Sequence, residues 1–379
     1  MKFSTKAVHV GQEPEETTGA VVHPVFLTST YVQEAPGDFK GYDYTRAGNP
    51  NYTRLEQALA ALEGGAHATV FSSGLGALTA ILSTLESGAK IVAVDDLYGG
   101  SYRLFTRVFE RFGVEPSFVP MQDLDAVDRA LAAAPAMVFI ETPTNPLLKI
   151  VDIAVVAEKA RSVGALSVVD NTFASPYFQN PLALGADVVW HSSTKYIGGH
   201  SDVIGGAVIC NDAELSQAMS FARMAIGLNP SPFDAWLLSR SIKTLAVRMQ
   251  RHAENAAAIV EFLSSHPRVE KVYYPGLESH AGHAIAREQM SGFSGIVSAQ
   301  FDLPIERTKR FISSLRVFTL AESLGGVESL VDHPATMTHA SIPAAEREKV
   351  GLTDGLVRFS VGIEDAEDLI ADLDAGLNE

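Results

Sequence analysis

The chain has 379 residues, 46% hydrophobic and 20% charged, with 30 glycines spread along its length. This profile excludes a disordered or fibrous chain and leaves room for a large domain and a smaller one. A formal charge of −16 repels phosphate backbones and anionic lipid surfaces, so neither nucleic acid nor membrane is expected as a partner.

The opening "MKFSTKAVHVGQEPEE" lacks an apolar stretch of signal-peptide length, and no later run is long enough to span a bilayer, so a cytoplasmic protein is expected. Residues 1 to about 60 ("HPVFLTSTYVQEAPGDFKGYDYTRAGNPNYT") are rich in turn formers and aromatics without a long helical period. They read as an extended arm that needs a surface to lie on, either its own or a neighbouring subunit's.

From 61 to 210 helical and strand-like segments alternate: "RLEQALAALEGG", "ATVFSSG", "LGALTAILSTLESG", "KIVAVDD", "SYRLFTRVFERFG", "EPSFVP", "LDAVDRALAAAP", "AMVFIETPTNP", "IVDIAVVAEKARSVG", "ALSVVDNT" and "ADVVWHSSTK". This order predicts an α/β fold, a mostly parallel sheet with helices on both faces. The single Cys210, in "IGGAVIC", suits a buried strand and excludes an intramolecular disulfide framework. "PSPFDAWLLSRSIKTLAVRMQRHAENAAAIVEFLSSH" reads as long helices, and beyond it "VEKVYYPGL", "SGIVSAQFDL", "TKRFISSLRVFTL" and "LVRFSVGIEDAEDLIADLDAGL" read as a small α+β domain. The expected division is an arm over 1–60, a large domain over 61–250 and a small domain over 251–379.

In parallel sheets ligands collect beyond the carboxyl ends of the strands. Polar groups cluster at those ends: Ser72, Ser73 and Gly74; Asp95 and Asp96 leading to Tyr98; Glu141 to Asn145; Asp170 to Thr172; and Lys195 in "HSSTKYIGGHSD". A strand-end lysine is ordinarily a solvated charge. Here Ser192 and Thr194 supply hydroxyls, and "SSGLGA" supplies backbone N–H groups at a helix start, a pairing suited to phosphate. Asp170 closes an apolar strand, where a carboxylate is costly without a cationic or protonated partner; a turn or helix cap is the plain alternative. A phosphate cradle, a lysine and a buried aspartate together describe a site for pyridoxal 5′-phosphate. "SSGLGA" could also be a nucleotide-phosphate loop, but it lacks the lysine of a P-loop and the glycine spacing of a dinucleotide fingerprint. His9, His23, His191, His200, His333 and His339 form no ligand-spaced cluster, so no metal is expected.

"VVDNTFASPYFQNPLALGADVVWHSSTKYIGGHSDV" resembles the pyridoxal-lysine signature of the transsulfuration (Cys/Met metabolism) family of cystathionine synthases and lyases. The likeness runs through "GYDYTRAGNP", "SSGLGA", "DDLYGGSYRLF", "ETPTNP", "AESLGGVESL" and "MTHAS". It implies a fold type I, aspartate aminotransferase-like architecture, a homotetramer built as a dimer of dimers, and an amino-acid substrate. By the same resemblance Lys195 would carry the cofactor and shuttle protons, Asp170 would face the pyridine nitrogen with Thr172 close by, and Tyr98 would stack on the ring and assist proton transfer. Gly74 and Leu75 backbone groups with Ser192 and Thr194 would hold the phosphate, and Tyr44 and Arg46 would reach the phosphate of the adjacent subunit. Arg358 would clamp the substrate α-carboxylate, helped by Asn145 and Ser323; read without the family, Arg358 is an interior strand residue.

Glu322 in "AESLGG" resembles the acid of the γ-active cystathionine enzymes and could meet the distal ammonium of cystathionine, although a solvent-facing loop charge is the plain alternative. Cystathionine γ-lyase is the expected activity, with cystathionine γ-synthase as the alternative. Methionine γ-lyase is disfavoured by Gly99 in "YGG", where cysteine usually follows the tyrosine, and cystathionine β-lyase by Glu322. Leu75 stands where many relatives have methionine, and "NPNYTRLE" departs from the usual "NPT" run. A non-catalytic amino-acid-binding or regulatory protein on the same scaffold is the remaining alternative.

Overall fold

The structure, a computed structural model, describes residues 1–338, 347 and 351–378. Among these the alternating segments build a seven-stranded sheet from β1 (His67–Phe71), β2 (Lys90–Val94), β3 (Glu115–Val119), β4 (Met137–Glu141), β5 (Leu166–Asp170), β6 (Val188–His191) and β7 (Gly206–Cys210). Their order is β1-β7-β6-β5-β4-β2-β3. Only β7 runs against its neighbours, so the sheet is mostly parallel, as expected.

Burial explains why these runs are strands. The central strands "MVFIE" and "LSVVD" are buried almost throughout, with no apolar–polar alternation, because helices cover both faces. The two-residue period shows instead as a division between two cores. Val188, Trp190 and Val208 join one core with the helix α2 (Gly74–Leu82). Val189, Ala207 and Ile209 join the other with the helices α1 (Pro50–Glu63) and Pro232–Ile242.

A second sheet has the order β8-β9-β12-β11-β10, formed by β8 (Val269–Tyr273), β9 (Ile296–Phe301), β10 (Thr319–Leu320), β11 (Leu330–Asp332) and β12 (Leu356–Ser360). Its inward residues Val297, Ala299, Phe301, Val331, Val357 and Phe359 pack with the helices Ile305–Ser314 and Ala366–Asn378. The helix α3 (Leu245–Ser265) serves both bodies. Leu245 and Met249 lie with Tyr196 of the large sheet's loops, while Ala256, Ile259, Val260 and Leu263 enter the small-sheet core. Position 250 falls within this helix.

Two local readings change. The N-terminal segment contains a helix, Phe3–His9, whose Ala7 is fully buried with Tyr52 and Leu55; seven residues are too few to display a period, and tertiary contact holds them. "SYRLFTRVFERFG" is not one α-helix: Gly99–Arg103 is α-helical, Leu104–Val108 widens to a π turn, and Phe109–Phe112 tightens to 3₁₀ before Gly113 at φ 87°. Of the "MTHAS" run, the residues from His339 onward lie outside the described residues.

The start of α2 rests directly on β7. A Cβ at Gly206 would stand 2.1 Å from the Ser73 carbonyl oxygen and 2.8 Å from the Gly74 nitrogen, both backbone atoms. Gly206→Ala should therefore displace the α2 N-terminus and cost about 1–3 kcal/mol, the range of overpacking, read as a lowered thermal unfolding midpoint.

Candidate active site

The carboxyl ends of β1, β2, β4, β5 and β6 open toward the small sheet, and between them lies a cavity of about 280 Å³. Every residue given a catalytic, cofactor or substrate role from the sequence lines it except Tyr44 and Arg46; of the other strand-end groups, Ser72, Asp95 and Asp96 do not.

Lys195 sits in the loop after β6. Its backbone is tied by Lys195 N–H to Ser192 O (3.2 Å) and by Gly199 N–H to Lys195 O (2.7 Å). Buried Arg248 of α3 braces the same turn, donating from Nη1 to Tyr196 O at 2.6 Å. The Lys195 amine donates to Ser323 Oγ at 2.6 Å. Burial, and then the nearby Arg358 cation, push the amine down to about 8, so a fraction is neutral near physiological pH.

At the opposite wall Ser73 caps α2 by accepting from Gly76 N–H at 2.9 Å. This leaves the Gly74 and Leu75 N–H groups, which have no intrahelical acceptor, at the positive end of the helix. Gly74 is pressed close to Ser192, whose Cβ would lie 2.9 Å from an added Cβ, and Trp190 Nε1 donates to Gly74 O at 2.7 Å. The Ser192 N–H donates to Thr172 Oγ1 at 3.0 Å and Thr172 N–H donates to Asp170 Oδ1 at 2.9 Å. Thr194 Oγ1 donates to Gly205 O at 3.2 Å. Helix end, two hydroxyls and aspartate thus form one connected wall.

Asp170 and Glu141 are register neighbours on β5 and β4 and both are buried. Burial pushes the Asp170 carboxyl up to about 6, opposed by its bonds to Thr172 and by His191. Burial first, and Asp170 second, push Glu141 well above the usual carboxylate range. Glu141 was not singled out from the sequence as a site residue in its own right, yet its two oxygens accept from Tyr98 N–H and Asn145 N–H, each at 2.9 Å. Its signal was available as an acid closing an apolar strand one position across from Asp170. The Tyr98 ring is seated over Gly100, where an added Cβ would lie 2.2 Å from the ring.

The small sheet supplies the last wall. Arg358, only 1% exposed, donates from Nη1 to Asn145 Oδ1 (2.8 Å) and from Nη2 to Ser323 O (2.9 Å). Ser323 has φ 90°, a left-handed conformation that costs a non-glycine residue about 1–3 kcal/mol; its carbonyl meets Arg358 and its hydroxyl meets Lys195. Glu322, beside it, is exposed and lines the cavity. Arg358 also forms an ion pair with Asp332, a partner the sequence reading missed because only the β11–β12 register brings the two together. Tyr44 and Arg46 lie elsewhere: Arg46 stacks on Tyr44 at 5.5 Å and donates to Met224 O at 2.6 Å.

The arrangement offers an amine with a lowered pKa, a helix end flanked by hydroxyls, a buried carboxylate to which no basic side chain is bonded among the described residues, and an arginine. A family model for Cys/Met metabolism PLP-dependent enzymes matches residues 4–378. The chain is 49% identical over 377 residues to a cystathionine β-lyase of Coxiella burnetii, covering 99% of this chain and 97% of that one. It is 49% identical to a cystathionine γ-lyase of Dictyostelium discoideum, covering 100% and 98%. A crystal structure of cystathionine γ-synthase from Xanthomonas oryzae pv. oryzae in complex with cystathionine superposes with a TM-score of 0.98 at 48% identity, covering 100% of this chain and 98% of that one.

The side chains lining the cavity fit pyridoxal phosphate: a primary amine for its aldehyde, a helix end and hydroxyls for its phosphate, and a carboxylate for its ring nitrogen. That carboxylate gives a sign-definite test. An aspartate whose folded pKa is raised binds its proton more tightly in the folded chain, so stability is lost as pH rises from about 4 through about 6. At pH 7 and without cofactor, Asp170→Asn should unfold at a higher temperature than the unsubstituted chain. With pyridoxal phosphate bound the order should reverse, as differential scanning calorimetry would show.

Proposed function

The chain belongs to the Cys/Met metabolism family of PLP-dependent enzymes, and on that premise we propose that it cleaves L-cystathionine to L-cysteine, 2-oxobutanoate and ammonia. The observation that carries this choice is Glu322, an acid at the mouth of the cavity that holds Lys195 and Arg358. It is placed to attract the distal ammonium of a long, doubly zwitterionic substrate.

In this reading Lys195 would hold the cofactor covalently, Asp170 would meet its ring nitrogen, Gly74, Leu75, Ser192 and Thr194 would hold its phosphate, and Tyr98 would cover its ring. The cofactor supplies an electron sink for charge developing at the substrate α-carbon. Arg358, oriented by Asn145 and Ser323, takes the α-carboxylate and fixes which face of the α-carbon meets the lysine. Displaced from the cofactor by the substrate amino group and held toward the cavity by Ser323, the Lys195 amine would take up the α-proton, return it to the substrate–cofactor pair and so be free to take up a β-proton. Breaking the Cγ–S bond leaves the electron pair on sulfur, which departs as cysteine after protonation by Lys195 or Tyr98. Water then releases 2-oxobutanoate and ammonia.

The second reading is γ-replacement, in which an activated homoserine and cysteine form cystathionine. It is favoured by the likeness to the Xanthomonas synthase, and uses the same residues with cysteine entering where it otherwise leaves. Supplying cystathionine alone should yield 2-oxobutanoate; O-succinyl- or O-acetylhomoserine with cysteine should yield cystathionine if replacement dominates. Pyruvate from cystathionine would identify β-cleavage, and no turnover of any pair would end both readings. Glu322→Gln should raise KM for cystathionine about two- to fivefold, the worth of an exposed charge pair, and leave KM for O-acetylhomoserine unchanged.

The arm completes the proposal. Val21, Leu27 and Val32 are 76%, 72% and 89% exposed, and Tyr44 and Arg46 lie outside the cavity of their own chain. Covering by a second copy would bury the apolar residues and bring Tyr44 and Arg46 to the neighbour's phosphate, in dimers that pair into a tetramer. Lys195→Ala and Arg46→Ala chains, each inactive alone, should regain about a quarter of the site activity when refolded together at equal amounts, since half the dimers are then mixed and hold one intact site.

A further inference from the structure

Arg358 does not stand in the cavity as a bare cation. Its neighbour across the antiparallel ladder is Asp332 of β11, and the two side chains, each 2% exposed, pair through Nη2 and Oδ2. Nη2 also donates to Ser323 O, so both of its protons are engaged, whereas Nη1 gives one of its two to Asn145. Arg358 Nε and Asp332 Oδ1 are both buried and have no hydrogen-bond partner among the described residues. A donor and an acceptor are therefore left open on the two halves of one ion pair. An incoming carboxylate that seeks two parallel N–H bonds finds one proton on Nη1, and must obtain the second from the nitrogens on the Asp332 side.

We propose that Asp332 is a positioning residue for substrate recognition, an internal carboxylate that holds the Arg358 fork in register and competes with the substrate α-carboxylate for it. The proposal rests on the reading of Arg358 as the α-carboxylate site. When substrate arrives, Asp332 yields Nη2, and the open Nε–Oδ1 edge gives it a place to swing to without losing its partner. The cost is a weaker grip on substrate; the benefit is an arginine held in place before substrate binds.

The groups facing Asp332 are Arg358 on β12, Lys195 in the loop after β6 and Glu322 in the loop after β10. His333, next in sequence, is turned away to Thr336 Oγ1 and Asp354 O. Burial pushes the Asp332 carboxyl up to about 6, opposed by Arg358 and reinforced by Glu322. Its charge, and with it the competition, is lost as pH falls through that range.

The test is titration calorimetry of holoenzyme with glycine, which carries the α-amino and α-carboxylate groups and no leaving group, from pH 5.5 to 8.5. Titrations shared by both proteins cancel in the ratio of Kd between the unsubstituted enzyme and Asp332→Asn. We expect that ratio to be about three- to tenfold at pH 8.5, in the range of a buried charge competing for one cation, and to approach one at pH 5.5. KM for cystathionine should fall with kcat little changed. Weaker glycine binding by Asp332→Asn, or a ratio near one throughout, would overturn the proposal. Asp332→Ser, which also removes the charge, should repeat the pattern; failure of both variants to fold with cofactor would make Asp332 a folding residue and overturn it too. Arg358→Lys tests the underlying reading separately and should weaken glycine binding whichever residue stands at 332.

Discussion

A carboxylate buried at the end of a β-strand without a bonded cation is the constraint around which the site is arranged. Asp170 occupies that place, and Glu141 beside it makes a second negative charge still more costly. Desolvation favours the protonated form of each, so the pair of carboxylates is electrostatically unsatisfied at neutral pH. A cationic group brought against Asp170 would relieve it directly. The two acids differ in what they can do because Glu141 is occupied at both oxygens by the backbone of Tyr98 and Asn145, while Asp170 accepts from one nearby N–H. One acid builds the walls and the other remains to meet a ligand.

The second condition is the meeting of two sheets. The parallel sheet brings its strand ends, and with them the lysine, the aspartate and the helix end, to one edge. The smaller, mostly antiparallel sheet brings Arg358. Besides apolar clusters such as Leu147 with Leu352 and Leu356, short polar contacts join them: Lys195 to Ser323 at 2.6 Å, Arg358 to Asn145 at 2.8 Å and Ser298 Oγ to Pro146 O at 2.7 Å. Gly325 lies so close to the Tyr196 backbone that an added Cβ would be 2.7 Å from its nitrogen. The Lys195 amine and the Arg358 guanidinium are thereby fixed relative to one another by segments from different bodies, one of them strained at Ser323.

The same economy explains why relatives of similar identity carry different names. On the proposed reading the groups around Lys195 serve proton removal at the α-carbon, a step common to β-cleavage, γ-cleavage and γ-replacement, so likeness there does not separate the three. On the same reading discrimination would fall to groups that meet the far end of the substrate, where Glu322 stands, and to how tightly Arg358 is offered, where Asp332 stands. Both are set by the loops and strands of the small sheet.

The sequence by itself determined the alternating architecture, because strand runs without polar interruption, such as "MVFIE" and "LSVVD", can exist only inside a sheet covered on both faces. It also determined that Gly74, Asp170, Thr172, Ser192, Thr194 and Lys195 share a site, since parallel strands put all their carboxyl ends on one edge. It did not disclose the short Phe3–His9 helix, held by packing of Ala7, nor the π and 3₁₀ turns after Arg103, since neither has a pattern of its own. Glu141 looked like an ordinary strand end until its two backbone partners were in place. The pairing of Asp332 with Arg358 was decided only by tertiary structure: it depends on the register of two strands 26 positions apart in sequence, and register is fixed by which faces are buried together, a property of the assembled core and of no local segment.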